Sequence, residues 1–253
     1  VSSRQEAARA GGILARGLTR HFGDLTAARE VTFSVAPGEI VGLLGPNGAG
    51  KTTTLRMLAT LLQPSGGEAW VAGHDVRAAP LAARRRLGYL TGDTGLYGRL
   101  SPREILAYFG ALHGLSPHVI ATRTAALTER LGLGAFLDRP CEKLSTGQRQ
   151  RTSIARALVH DPPVLLLDEA TSGLDILAAR DVLGLLRAEV DTGKAALLST
   201  HILAEVELVC DRAVILHHGE VRHDDTLEAL ARAGGAASLS AGFFRLLGEE
   251  DAS

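Results

Sequence analysis

The sequence predicts an α/β fold with a mainly parallel sheet, and three observations carry that prediction. Residues 45–52, Gly45-Pro46-Asn47-Gly48-Ala49-Gly50-Lys51-Thr52, stand between a strand-length apolar run and a segment with apolar residues at helical spacing. Further strand-length runs at 164–167, 195–199 and 213–216 alternate with helical stretches at 176–190 and 202–209. The run at 164–167 ends in two acids, Asp168 and Glu169. Carboxylates placed there emerge at the C-terminal edge of a parallel sheet, the edge at which α/β proteins bind ligands.

The elements follow in order. Residues 1–12 are polar and rich in Ala and Arg, without the apolar segment of a secretory signal, which leads to the expectation of a cytosolic protein. Apolar runs at 13–18 and 31–35 suggest an N-terminal β-rich segment, with Pro37-Gly38 as a turn before a buried strand at 39–44. A helix is expected over 51–62, then strands at 68–71 and 87–90. Residues 102–115 and 117–133 carry helical periodicity, and Ser101 and Ser116 each stand ahead of a proline as N-caps, so a helical insertion is expected here. A further helix is expected over about 148–159. After the alternating strands and helices, Gly219-Glu220 is read as a hairpin turn, 226–233 as a short helix, 234–240 as a linker and 243–247 as a small apolar helix. No internal repeat is present.

Composition narrows the function. A formal charge of −1 and a pI near 6.8 argue against a surface built to neutralise nucleic-acid phosphates. Arg84-Arg85-Arg86 is the one basic cluster, read as a solvated helix face. No apolar run approaches the roughly 20 residues of a membrane span. Cys141 and Cys210 stand apart without metal-ligand spacing and are read as buried or incidental thiols.

The chemistry begins at residues 45–52, which satisfy the pattern G-x-x-x-x-G-K-[ST] in the order strand, loop, helix. Its glycines let backbone amides turn toward a phosphate, and the helix N-terminus adds its positive dipole end. Lys51 then reaches the terminal phosphates and the Thr52 hydroxyl holds Mg2+. Asp168 fits the carboxylate that holds the metal in such an ATPase, and Glu169 fits a general base for the attacking water.

Leu144-Ser145-Thr146-Gly147-Gln148 resembles the signature of the ATP-binding cassette (ABC) ATPases, with a serine and a glycine opening a helix toward an anion. The resemblance spans about residues 13–231. It implies a P-loop core with an antiparallel β subdomain and a helical subdomain over about 94–151, in a domain of residues 13–233 followed by a linker and short helix at 234–253. It implies ATP and Mg2+ as ligands, with Gly45, Asn47, Gly48, Ala49, Gly50, Lys51, Thr52 and Thr53 around the phosphates and Phe22 stacked on adenine. Ser172-Gly173-Leu174-Asp175 resembles the loop that crosses the family's dimer interface, and His201 the histidine that contacts the terminal phosphate.

Two departures stand out. Where the family has a glutamine that senses metal and membrane partner, this chain has Gly92, which has no side chain to coordinate with; Asp93, one position on, could supply an oxygen to the metal. Thr146 replaces the first signature glycine and Ala170 replaces a frequent proline, without loss of a charge or ligand.

The resemblance further implies that two cassettes, identical or different, close head to tail on two ATP molecules, with Ser145, Gly147 and Gln148 acting on the nucleotide of the other copy. An integral membrane permease would dock near residues 92–106, which places the chain at the inner face of the cell membrane. The run 91–104 is similar to the ATPases of sodium-extrusion and related type-2 exporters, and drug efflux shares much of the pattern. Two other readings stand beside this one. A soluble ABC ATPase acting on nucleic acid or ribosomes would usually carry two cassettes or a coiled-coil insertion. A module that holds ATP without hydrolysing it would be expected to have lost Lys51 or Glu169.

Overall fold

A computed structural model describes residues 3–91 and 95–248. The chain opens with helix α1 (Ser3–Gly11), a segment of helix-forming Ala, Arg, Gln and Glu that periodicity alone passed over. It is tied down by Ala8, which is fully buried, and by an ion pair from Arg4 to Glu39. Strands β1 (Ile13–Phe22) and β2 (Leu25–Val35) then form a hairpin longer than the apolar runs suggested. Phe22 pairs with Leu25 across its turn.

Strand β3 (Ile40–Leu44) follows the Pro37-Gly38 turn and leads through the glycine-rich loop into helix α2 (Lys51–Leu58). This helix stops four residues short of the expected end because Thr60 adopts a left-handed φ of 59° and the amides of Leu61 and Leu62 turn back to the Arg56 carbonyl. Next come β4 (Gly66–Val71), the two-residue β5 (His74–Asp75), the short helix α3 (Pro80–Arg85) and β6 (Leu87–Thr91). Arg84 and Arg85 close α3 and Arg86 follows it, and all three are exposed, as a solvated face requires.

Helices α4 (Pro102–Leu112) and α5 (Pro117–Leu131) form the helical insertion. Both begin as expected. Ser101 accepts from the Glu104 amide while the Glu104 carboxylate accepts from the Ser101 amide, and Ser116 accepts from the Val119 amide. A capping arrangement of this kind contributes about 1 kcal/mol. Helix α6 (Thr146–Leu158) begins two residues earlier than expected, since Ser145 caps it and Gln148 reciprocates.

The second half alternates β7 (Val164–Asp168), α7 (Ile176–Val190), β8 (Ala195–Ser199), α8 (Leu203–Val209) and β9 (Arg212–His217). The turn into β10 (Glu220–Thr226) falls at His218-Gly219, one residue before the expected place, because both adopt positive φ, 50° and 81°. Thr226 caps α9 (Leu227–Ala233). The expected linker is shorter than read: Ser238 caps α10 (Leu239–Leu246), which packs on α9 and α8.

Two sheets result. One is antiparallel, in the order β2-β1-β4-β5; the other runs β10-β9-β3-β8-β7-β6, parallel except for its β10 edge. The parallel sheet divides two hydrophobic cores by simple alternation. Ile40 and Leu44 of β3, Leu165 and Leu167 of β7, and Ala196 and Leu198 of β8 face the core shared with α4 to α10. Val41 and Leu43, Val164 and Leu166, and Ala195 and Leu197 face the core shared with the antiparallel sheet and α2. Burial on both faces explains why these strands read as unbroken apolar runs.

Cys141 and Cys210 are both buried and unbridged, and burial raises both thiols. No helix among the described residues is long and apolar enough to cross a membrane.

Candidate active site

The loop between β3 and α2 wraps on itself because two of its glycines occupy conformations closed to other residues. Gly45 has φ 151°, and a Cβ there would lie 2.2 Å from the Leu216 carbonyl oxygen; Gly50 has φ 98°, and a Cβ there would lie 2.4 Å from the Ala27 carbonyl oxygen. The loop is braced from outside by the Gly219 amide, which donates to the Ala49 carbonyl at 3.1 Å. The amides of the first turn of α2, Lys51 to Thr53, have no acceptor within their own helix, so this end of the helix suits an anion.

Lys51 is 6 % exposed, and its Nζ donates to the carbonyls of Gly45 and Pro46 at 2.6 and 3.0 Å. Burial lowers its pKa, while the Glu169 and Asp168 carboxylates oppose the shift. The ammonium is therefore held over the loop by neutral carbonyls that an anion could displace.

Asp168, 7 % exposed, ends β7 between Thr91 of β6 and Ser199 of β8. The Thr52 hydroxyl donates to its Oδ1 at 3.3 Å. Burial raises the Asp168 pKa, and the bond from Thr52 partly offsets this. A buried carboxylate and a hydroxyl beside an anion loop form a hard-oxygen set that fits Mg2+, provided phosphate oxygens and water complete the shell. Among the described residues no group of three or more His, Cys, Asp or Glu could hold a metal alone. Asp93 and Gly92 lie outside the described residues.

Glu169 leaves the strand with φ 51°, a left-handed conformation rare for a glutamate, held by a bond from its amide to the Ser199 carbonyl at 2.9 Å. His201 follows β8, and its Nδ1 lies 3.4 Å from Glu169 Oε1, with both side chains partly open to solvent. Thr200 orders this turn, donating to Glu205 at 2.7 Å and accepting from the Ile202 amide.

A single open cavity joins these groups: Phe22, Leu25 and Ala27 from the β1–β2 hairpin, Asn47 to Thr53 from the loop, and Glu169. Phe22 is 45 % exposed, its ring covered on one side by the Arg20 guanidinium at 4.6 Å. The signature segment lies elsewhere. Ser145 is exposed, Gly147 and Gln148 are half-buried, and none lines this cavity. Asp175 caps α7, leaving Ile176 and Leu177 86 % and 73 % exposed.

Residues that sequence reasoning missed surround the acidic pair. Tyr89 in β6 is pushed up to about 12 by burial and then by Asp168. Gln150 of α6 donates to the Ala170 carbonyl. No local pattern marked either; the alternation of β6 could at most have placed Tyr89 on the face of the phosphate loop.

A protein-family profile described as ABC transporter matches residues 28–172, which span the loop and the acidic pair. The chain is 43 % identical over 220 residues to the ABC transporter ATP-binding protein NatA of Bacillus subtilis, covering 84 % of this chain and 88 % of that protein. It is 38 % identical over 209 residues to a probable multidrug ABC transporter ATP-binding protein, YbhF, of Escherichia coli, covering 83 % of this chain but only 36 % of the relative. A solved structure described as the ATP binding subunit of an ABC transporter superposes with a TM-score of 0.86 at 33 % identity, over 93 % of this chain and 99 % of the other.

Proposed function

This chain belongs to the ABC transporter family as an ATP-binding subunit, and from that membership we propose that it hydrolyses ATP to drive export through a separate membrane subunit. The observation that carries the catalytic part is the convergence of Lys51, Thr52, Asp168, Glu169 and His201 at one edge of the parallel sheet.

In this reading Gly45 and Asn47 to Thr53 cradle the phosphates of ATP, and Phe22 stacks on adenine. The Lys51 ammonium exchanges two loop carbonyls for phosphate oxygens. Thr52 and Asp168 hold Mg2+, with Asp93 as a further oxygen; the ion, when bound, neutralises charge on the terminal phosphates. Glu169 takes a proton from water as its oxygen attacks the γ-phosphorus and the bond to the ADP oxygen breaks. His201, beside Glu169, donates to the γ-phosphate and stabilises the charge that develops there.

Because Ser145, Gly147 and Gln148 lie away from this cavity, their role is assigned to the nucleotide of a second copy, identical or different. The domain spans residues 13–233, with its helical subdomain at about 94–151, and residues 234–253 follow it. The membrane subunit docks near 92–106, at the inner face of the cell membrane. Sodium or drug efflux is the proposed cargo class. The likeness of the run 91–104 to sodium-extrusion and type-2 exporter ATPases supports it, as does the multidrug description of one relative. No nucleic-acid partner is expected, given the charge of −1.

Steady-state Mg-ATP hydrolysis at increasing protein concentration tests the catalytic reading. Turnover per chain that rises with concentration supports a dimeric ATPase, and ATP binding without turnover at any concentration overturns it. Co-purification with a multispanning membrane protein tests the transport reading.

A further inference from the structure

Gln150 lies in the second turn of α6, the helix that Ser145 opens, and is 5 % exposed. Its side-chain amide donates to the carbonyl oxygen of Ala170, the residue after Glu169. A buried amide left without a partner costs about 1–3 kcal/mol, so this bond strongly constrains the distance between helix and turn. Among the other ties of the turn that follows β7, two are made by Glu169. The Glu169 amide donates to Ser199 at 2.9 Å, and the Ser172 amide donates to the Glu169 carbonyl at 3.0 Å. The first binds the turn to the neighbouring strand and the second binds it to itself. The tie from Gln150 comes from a helix whose N-terminus lies outside the cavity that Glu169 lines.

Glu169 needs such ties. Its left-handed φ of 51° persists only where neighbours over-determine the backbone. A shift of α6 is passed through Gln150 to the Ala170–Thr171 peptide, one residue beyond Glu169 in the same turn.

We infer that Gln150 is a positioning residue for hydrolysis, carrying the placement of the signature helix of one nucleotide site to the general base of the other. The inference rests on the proposed ATPase function and dimer. Within one chain, Ser145 and Gly147 serve the nucleotide of the second copy while Glu169 serves its own. Gln150 is a direct side-chain link between the two, so engagement of the signature on one ATP aligns the base at the other. This is a coupling between sites carried by a named contact.

Gln150→Met, which keeps the length of the side chain and removes the donor, tests it on the full chain. The expected result is a kcat for Mg-ATP lower by at least about tenfold with KM changed by less than about threefold, since misplacing a catalytic group by about 1 Å can cost a hundredfold. Affinity for a fluorescent ATP analogue should stay near wild type, and Tm should fall by only the several degrees that one lost buried hydrogen bond costs. An unchanged kcat overturns the inference, and so does a kcat loss matched by equal losses in nucleotide affinity and Tm, which would mark a structural role only. If Gln150→Met does not fold, Gln150→Asn, which keeps the amide on a side chain one methylene shorter than the contact with Ala170 uses, is read by the same split. A wild-type chain without turnover at any concentration overturns the ATPase reading and this inference together; an active wild type with an unaffected variant overturns this inference alone.

Discussion

Nδ1 of His201 lies 3.4 Å from Oε1 of Glu169, although the two residues are 32 positions apart and leave different strands. Register brings them together. Asp168 of β7 pairs with Ser199 of β8, so the residues just beyond each strand emerge side by side at the same sheet edge. The Glu169 amide, bonded to the Ser199 carbonyl, fixes that proximity.

Glu169→Gln keeps the shape of the side chain and removes the base. Phosphate release should fall by at least about a hundredfold, in keeping with the worth of general base catalysis. ATP binding should remain, and gel filtration with Mg-ATP should show a trapped dimer. Retained turnover would remove Glu169 from the role of base.

Lys51→Met should separate affinity from stability. The Lys51 ammonium satisfies only loop carbonyls in this structure. Its loss should weaken ATP binding by about tenfold or more, as expected of a charge-assisted contact to phosphate. Tm without nucleotide should move by no more than about 3 °C. Equal affinity in equilibrium dialysis would show that the lysine does not reach the nucleotide.

Phe22→Ala removes the exposed ring at the mouth of the cavity. Base–aromatic stacking is worth about 1–3 kcal/mol, so affinity for ATP should fall about fivefold or more, and Phe22→Trp should preserve it. If titration of a fluorescent analogue gives the wild-type constant for Phe22→Ala, adenine sits elsewhere.

Acid should weaken the junction between the helical insertion and the core. His160 stacks on His113 at 3.5 Å, and its Nε2 meets the Leu87 carbonyl at 3.2 Å. Burial and then the neighbouring His113 push His160 down to about 4, from the ordinary 6.5. Burial and then Arg85 lower His113. Because the folded value lies below the unfolded one, the unfolded chain takes up the proton first. Stability is full above about pH 6.5 and is lost as pH falls toward 4, by on the order of 3 kcal/mol in all. Tm measured from pH 7.5 to 4.5 should drop less steeply in His160→Gln; identical slopes would assign the acid sensitivity to other groups.

The element order of the second half was legible because strands buried on both faces must be continuously apolar, as at 164–167 and 195–199. Ser101 and Ser116 marked their helices because capping is chemistry between near neighbours. Where local signals failed, a backbone conformation or a distant partner had decided. Thr60 ends α2 with a positive φ that no glycine advertises. Helix α1 is anchored through Arg4 and Glu39, 35 residues apart.

The sequence by itself determined the phosphate loop, the acidic pair and the α/β order, since each is written in consecutive residues whose spacing is the chemistry. The motifs had placed Thr52 with Asp168 on one Mg2+ and Glu169 with His201 at one phosphate; only the tertiary structure decided the distances at which they meet, and that Gln150 reaches Ala170. Those meetings depend on strand register and helix placement, which are set by packing two cores against opposite faces of one sheet. A linear pattern holds no record of such distances between residues far apart in the chain.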